Sequence, residues 1–196
     1  MAIMGIPFKA PAPYPLPEDF AAHLRSQAAA SALGMIGRLL VDHQCADLVF
    51  IEQLGTDGVM RIATAAGVDA RAKDTAAALL AEADSLAYPL PPAGEGIPMA
   101  ATVMHGGAGL LVMGELTPDD TKLPQAPLRA FLLDGAATAN IGFVYYNPIV
   151  APDGTVLGTA NLFRYLASGA LNHDQPALVN ALLQILGEAL AAAPVR

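Results

Sequence analysis

The order of patterns along the chain predicts an α+β fold, a mostly antiparallel central sheet with helices packed on its faces. Two observations predict it. A helical period opens and closes the region from Glu18 onward, and between them lie two pairs of short β-branched and aromatic runs, each pair joined by a glycine-containing turn. The 196 residues suit one domain. Hydrophobic residues make up 54% and charged residues 14%, which excludes a wholly disordered chain and leaves enough apolar side chain for a core without staples.

Residues 1–17 form a Pro-rich N-terminal arm, and 18–196 read as the single domain. Pro7, Pro11, Pro13, Pro15 and Pro17 block helix and ladder bonding, so the arm is expected to be extended. It is either a frayed tail or, given Ile3, Ile6, Phe8, Tyr14 and Leu16, an arm that packs on a partner subunit. From Glu18 to Asp42, Phe20, Leu24, Ala28, Leu33, Ile36 and Leu40 recur at helical spacing. Ala46–Leu54 and Val59–Ala66 flank Gly55-Thr-Asp-Gly58 and read as a hairpin. Asp69–Asp84 is an Ala/Leu helix with Arg71, Lys73, Asp74 and Glu82 on its wet side.

Tyr88-Pro-Leu-Pro-Pro cannot be helical, and Gly94-Glu-Gly-Ile-Pro98 starts a short helix that reaches His105. Leu110–Leu116 is a predicted strand, Thr117–Pro127 a polar loop and Leu128–Asn140 a helix. Strands over Gly142–Val150 and Thr155–Arg164 flank a turn at Asp153-Gly154. Leu171–Ala193 closes the chain as a helix, with Asn172 or Asp174 as its cap and Pro176 in its first turn.

Charge excludes one class of partner. Ten basic residues against 18 acidic ones give a net charge of −8, with no Lys/Arg cluster, so nucleic acid is not expected. Cys45 is the only cysteine, which rules out an intrachain disulfide or a two-thiol redox cycle and suits a reducing, cytoplasmic setting. Asn180, Gln184 and Glu188 interrupt the most apolar helix, short of the ~20 residues a membrane span needs, so no membrane partner is expected.

Few motifs carry chemistry. Gly106, Gly107 and Gly109 follow a helix and precede a strand, the reverse of a phosphate loop, and read as a helix stop. His23, His43, His105 and His173 form no i, i+4 metal pair. His105, at a helix end, suits the dipole as a cap. His43 and Cys45 sit two apart and could join Asp42 or Asp47 around a metal, or pair as base and nucleophile; a buried structural cysteine is the other reading. No serine lies in a nucleophile elbow, and Asp119-Asp120 falls in a loop that it solvates. Neither a metal site nor a catalytic residue is assigned.

The strand pair at 142–164 suggests binding. Tyr145 shares a face with Phe143 and Asn147, and on the next strand Asn161 shares a face with Leu157 and Phe163. An apolar wall with a few amides and a phenol is how small-molecule pockets fix orientation; an ordinary sheet face with locally bonded polar groups has the same pattern. Tyr145, Asn147, Asn161 and Phe163 are the candidate wall, with Met113, Glu115 and Arg129 as outer candidates.

Asn147-Pro-Ile-Val-Ala-Pro-Asp-Gly-Thr-Val-Leu-Gly-Thr-Ala-Asn-Leu162 resembles the GAF domain, a small-molecule sensory module: a strand ending in Pro plus aliphatic, a turn, then a Gly-x-x-x-Gly strand. Leu171-Asn-His-Asp-Gln175 before an apolar helix, Gly94-Glu-Gly-Ile-Pro98 and Leu110-Leu-Val-Met-Gly-Glu115 resemble the same family. The resemblance follows element order over about Glu18 to Leu190, and wording only from about Gly94. It implies a GAF-like (profilin/PAS-like) fold, a ligand held between sheet and covering helices, and a homodimer or partner contact through the first and last helices. With no room for an output domain, it implies a stand-alone member.

The family's specific activities transfer poorly. Of its cyclic-nucleotide motif, Asn161 and Asp174 match, whereas Leu162 stands for Lys, Leu171 for Phe and Gln175 for Glu. Bilin attachment needs a later cysteine than Cys45, and free methionine sulfoxide reduction needs more than one thiol. The ligand or cofactor is not named by the sequence. An interaction scaffold with a vestigial pocket, and a small enzyme using Cys45 and His43, are the alternatives.

Overall fold

In chain order the elements are strand β1 (Ile6–Phe8), helices α1 (Glu18–Ser26) and α2 (Ala29–Asp42), strands β2 (Leu48–Leu54) and β3 (Val59–Gly67), helix α3 (Ala70–Ala81), strand β4 (Tyr88–Pro89), helix α4 (Met99–Gly106), strands β5 (Gly109–Met113), β6 (Ile141–Val150) and β7 (Val156–Tyr165), and helix α5 (Gln175–Ala192). The computed structural model describes residues 6–8, 14–93, 99–113, 141–172 and 174–193. The loop over 117–127, the helix over 128–140, the strand end at 114–116, the helix start at 94–98 and His173 lie outside the described residues.

The strands form one sheet in the order β1-β5-β6-β7-β2-β3-β4. Every neighbouring pair is antiparallel. Residues Ile6–Phe8 correct the expectation for the arm, because they pair with Gly109–Leu111 of the same chain. Pro7 is tolerated there because β1 is an edge strand, where a missing N–H can face away from the ladder.

The opening helix is two helices. In a continuous helix the Gln27 N–H would bond to the His23 carbonyl. That oxygen instead accepts from Ser26 Oγ at 2.7 Å and Gln27 Nε2 at 3.3 Å, and the Gln27 N–H turns to the Leu24 carbonyl. Local side-chain bonds thus compete with the helix and end its first segment.

Two apolar layers sandwich the sheet. Leu24, Ile36, Leu40, Leu182 and Leu186 from α1, α2 and α5 pack on Val49, Ile51, Ile149 and Leu162. Each such leucine contributes roughly 2 kcal/mol by leaving water. The close seating of α5 depends on Gly187, where a Cβ would lie 2.0 Å from the Val150 carbonyl oxygen. On the other face Ala72, Ala76 and Leu79 of α3 and Val103 of α4 pack against Phe50, Val144 and Phe163. Among the described residues no helix is long and apolar enough to cross a membrane.

Asn172 caps α5. Its Oδ1 accepts from the N–H groups of Asp174 and Gln175, while Gln175 Oε1 accepts from the Asn172 N–H, a reciprocal capping box. Gln175 Nε2 also donates to the Gln44 carbonyl at 2.8 Å, which fixes the start of α5 against the α2–β2 connection.

Candidate functional site

The two strands of the candidate wall do not present it to one side. Tyr145 stands opposite Leu162 and Asn147 opposite Ala160, whereas Asn161 stands opposite Tyr146 and Phe163 opposite Val144. Tyr145 therefore packs in the α1/α2/α5 layer and Phe163 in the α3/α4 layer. Asn147 Nδ2 donates across 3.4 Å to the carbonyls of Tyr145 and Ala160, a local bond within the strands. The Tyr145 hydroxyl accepts from the Leu171 N–H at 3.0 Å and so helps hold the lead-in to α5. Met113 pairs with Phe143 in the ladder; Glu115 and Arg129 lie outside the described residues.

The cause of the split is a bulge. Val150 pairs with Val156, but Ile149 pairs with Gly158, so Leu157 is an extra residue on β7. One extra residue turns every later side chain to the opposite partner face.

Asn161 has a partner that the sequence reading missed. On the α3/α4 face its Nδ2 donates to Glu52 Oε2 at 2.8 Å, and Thr159 Oγ1 donates to the same oxygen at 3.4 Å. Glu52 is 2% exposed, and both partners are fully buried. Alternation along β2 explains the position, since Glu52 continues the inward stripe of Leu48 and Phe50. Gly158 lets β7 approach at this point, because a Cβ there would lie 2.1 Å from the Glu52 carbonyl oxygen. A lone acid in the apolar stripe of Leu48-Val-Phe-Ile-Glu-Gln-Leu54 was the available signal.

Burial pushes the Glu52 carboxyl up to about 6, against the opposing pull of the Asn161, Tyr88 and Thr159 side chains. Burial and the nearby Glu52 charge also push the Tyr88 and Tyr146 phenols upward. The Tyr88 hydroxyl lies beside the Glu52 carboxyl and is directed to it, whereas Asn161 Oδ1 is buried without a partner among the described residues. Tyr88 comes from the short edge strand β4, opposite Met60. Downstream of it, the Pro91 carbonyl lies 2.7 Å from Nε2 of His105, which requires the proton on that nitrogen. His105 thus ties α4 to the segment that carries Tyr88.

This fold, a seven-stranded antiparallel sheet with α1, α2 and α5 on one face and α3 and α4 on the other, is similar to that of several solved structures. The GAF domain/HD domain protein of Geobacter sulfurreducens matches with a TM-score of 0.58 at 14% identity, over 87% of this chain and 95% of that one. The GAF domain of a phosphoenolpyruvate-protein phosphotransferase from Coxiella burnetii matches with 0.60 at 15%, over 88% and 89%. The corresponding GAF domain from Acinetobacter gives 0.56 at 11%, over 91% and 94%. The fold is GAF-like. No family model matches the sequence, and no curated protein matches it significantly.

Within this GAF-like fold the motif residues do structural work. Gly154 turns the hairpin at φ 90°, and Gln175, in place of the family's Glu, closes the capping box. Leu162, in place of Lys, is buried in the α1/α2/α5 layer.

Cys45 is fully buried, and its Sγ donates to the His43 backbone carbonyl at 3.7 Å rather than to the imidazole. Burial, partly offset by the charge of Arg164, raises its pKa to about 11, so the thiolate needed for attack is scarce. Among the described residues no three His, Cys, Asp or Glu side chains converge as a metal site.

Proposed function

We propose that this chain is a GAF-like sensory or regulatory protein that binds a small molecule on the α3/α4 face of its sheet. In this reading the pocket is built around Glu52 and Asn161, with Thr159, Tyr88 and Tyr146 as polar neighbours and Phe163 as apolar wall. Tyr145 and Asn147 support the opposite layer. One observation carries the reading: Glu52, a carboxyl held inside an apolar face at a cost to its own ionisation. Buried groups with strongly shifted pKa values concentrate at functional sites. The protein then acts by binding rather than by catalysis, consistent with the inert setting of Cys45.

The signal passes through a homodimer or partner contact on the α1/α2/α5 layer. An apolar groove there, lined by Leu16, Phe20, Leu39, His43, Leu178 and Leu182, supports a contact on that side. The test compares two conservative variants for ligand retention by native mass spectrometry. Tyr146→Phe reduces retention and Tyr145→Phe leaves it unchanged; the reverse order would move the pocket to the helical layer.

A further inference from the structure

The groove on the α1/α2/α5 layer encloses about 250 Å³. The buried Leu178 and Leu182 of α5 form its floor, the half-buried Phe20 and Leu39 its walls, and Tyr14 and His43 stand at its rim. The Leu16 N–H bonds to the Tyr14 carbonyl at 2.9 Å, a tight turn that folds the arm against the helices. Eight residues line the space, whereas a stable protein interface takes about 20–30 a side. The groove is therefore one feature of that layer and of small-molecule size. About 150 Å³ already holds benzene, so a ring with a short alkyl arm matches the volume.

Charge selects the head group. Glu18 and Asp19 lie between the lining residues Pro17 and Phe20, Asp42 precedes His43, and Asp174 stands one turn before Leu178. All four acids are exposed. Among the described neighbours of the lining residues Arg38 is the one lysine or arginine. Its Nε turns back to the Gly34 carbonyl of its own helix at 3.3 Å. The negative end of the α2 dipole also meets the groove at His43, and Asp42 adds an acid where a helix favours a cation. Tyr14 and Phe20 bring aromatic rings, whose faces attract cations. An anionic head at this rim would be repelled.

We propose that this groove binds a small organic cation. Its apolar ring or chain fills the space between Phe20, Leu39, Leu178 and Leu182, and its ammonium group lies at the rim beside Tyr14, His43 and Asp42. The site is separate from the α3/α4 face and stands independently of the ligand proposed there.

Ligand-observed NMR titration of the full chain with 3-phenylpropylamine, 3-phenylpropanol and 3-phenylpropanoate tests this, because the three share a body and differ in head-group charge. The amine should bind at least about tenfold tighter than the carboxylate, with the alcohol between them. Leu39→Trp fills the groove without altering its charge, and Tyr14→Ala removes a rim residue carried by the arm. Each should weaken the amine by at least about tenfold, with a cooperative melt showing that the variant is folded. Equal binding of the three probes, or a preference for the alcohol or the carboxylate, overturns the cation. Amine binding unmoved by Tyr14→Ala, or by Leu39→Trp where that variant folds, is attraction to the acidic surface or to another face and overturns the site. If no probe binds up to its solubility limit the groove is not a ligand site, and the α3/α4 reading is unaffected.

Discussion

The Asn161 amide donates to the Glu52 carboxyl across 2.8 Å, joining neighbouring strands β7 and β2 at a point neither side chain shares with solvent. A sheet face does not need this pair for packing, since apolar residues of similar volume bury without a desolvation cost. Under the proposed binding role, its presence sets stability against binding.

Glu52 makes stability fall with rising pH. Its pKa is raised from 4.5 to about 6 on folding. Between those values the folded chain binds more protons than the unfolded one, so the stability contributed by this group is lost as pH rises. Above the folded value the full cost is present, roughly 2 kcal/mol for a shift of this size. Glu52→Gln should therefore be more stable than the native chain by up to about 2 kcal/mol at pH 8 and near equal to it at pH 4.5. Urea melts of both proteins at the two pH values check this.

Asn161→Ala leaves the Glu52 carboxyl without its shortest described hydrogen bond. Loss of a charge-assisted bond to a buried partner should cost about 2–3 kcal/mol at pH 8 and less at pH 5, where Glu52 is protonated. The same melts read the difference. A cost independent of pH would mean that the amide serves packing alone.

Gly187→Ala should lower stability by at least about 1–3 kcal/mol, the usual cost of overpacking, because the new methyl has only backbone to displace. The carbonyl it would meet belongs to Val150 on β6. Denaturant melts would show a lower midpoint with an unchanged slope.

The Cys45 thiol should resist alkylation. With its pKa pushed from the ordinary 9.0 up to about 11, the thiolate fraction at neutral pH falls about 100-fold, before burial slows access further. Iodoacetamide labelling followed by intact mass checks the rate in the folded and urea-unfolded chain.

Periodicity within one segment was legible in the sequence, and relationships between segments were less so. The hairpin at Gly55–Gly58 and the Asn172 cap of α5 follow from local residue chemistry. Asp69, which the sequence reading placed inside the helix, is its N-cap and accepts from the Ala72 N–H at 2.8 Å. The faces of β6 and β7 could each be read by alternation, but their relative parity depends on the extra residue at Leu157, which no residue type announces. Without that bulge, Tyr145 would stand opposite Asn161. Tyr88 reached the site from a Pro-rich stretch that carried no pattern at all, placed there by its pairing with Met60.

The most direct test is native mass spectrometry of the native chain beside Glu52→Gln, each measured again after denaturation. The native chain should carry an extra mass that denaturation releases, and the better-folded variant should carry little or none. An extra mass retained equally by both proteins, or absent from the native chain, would contradict a binding site built on Glu52.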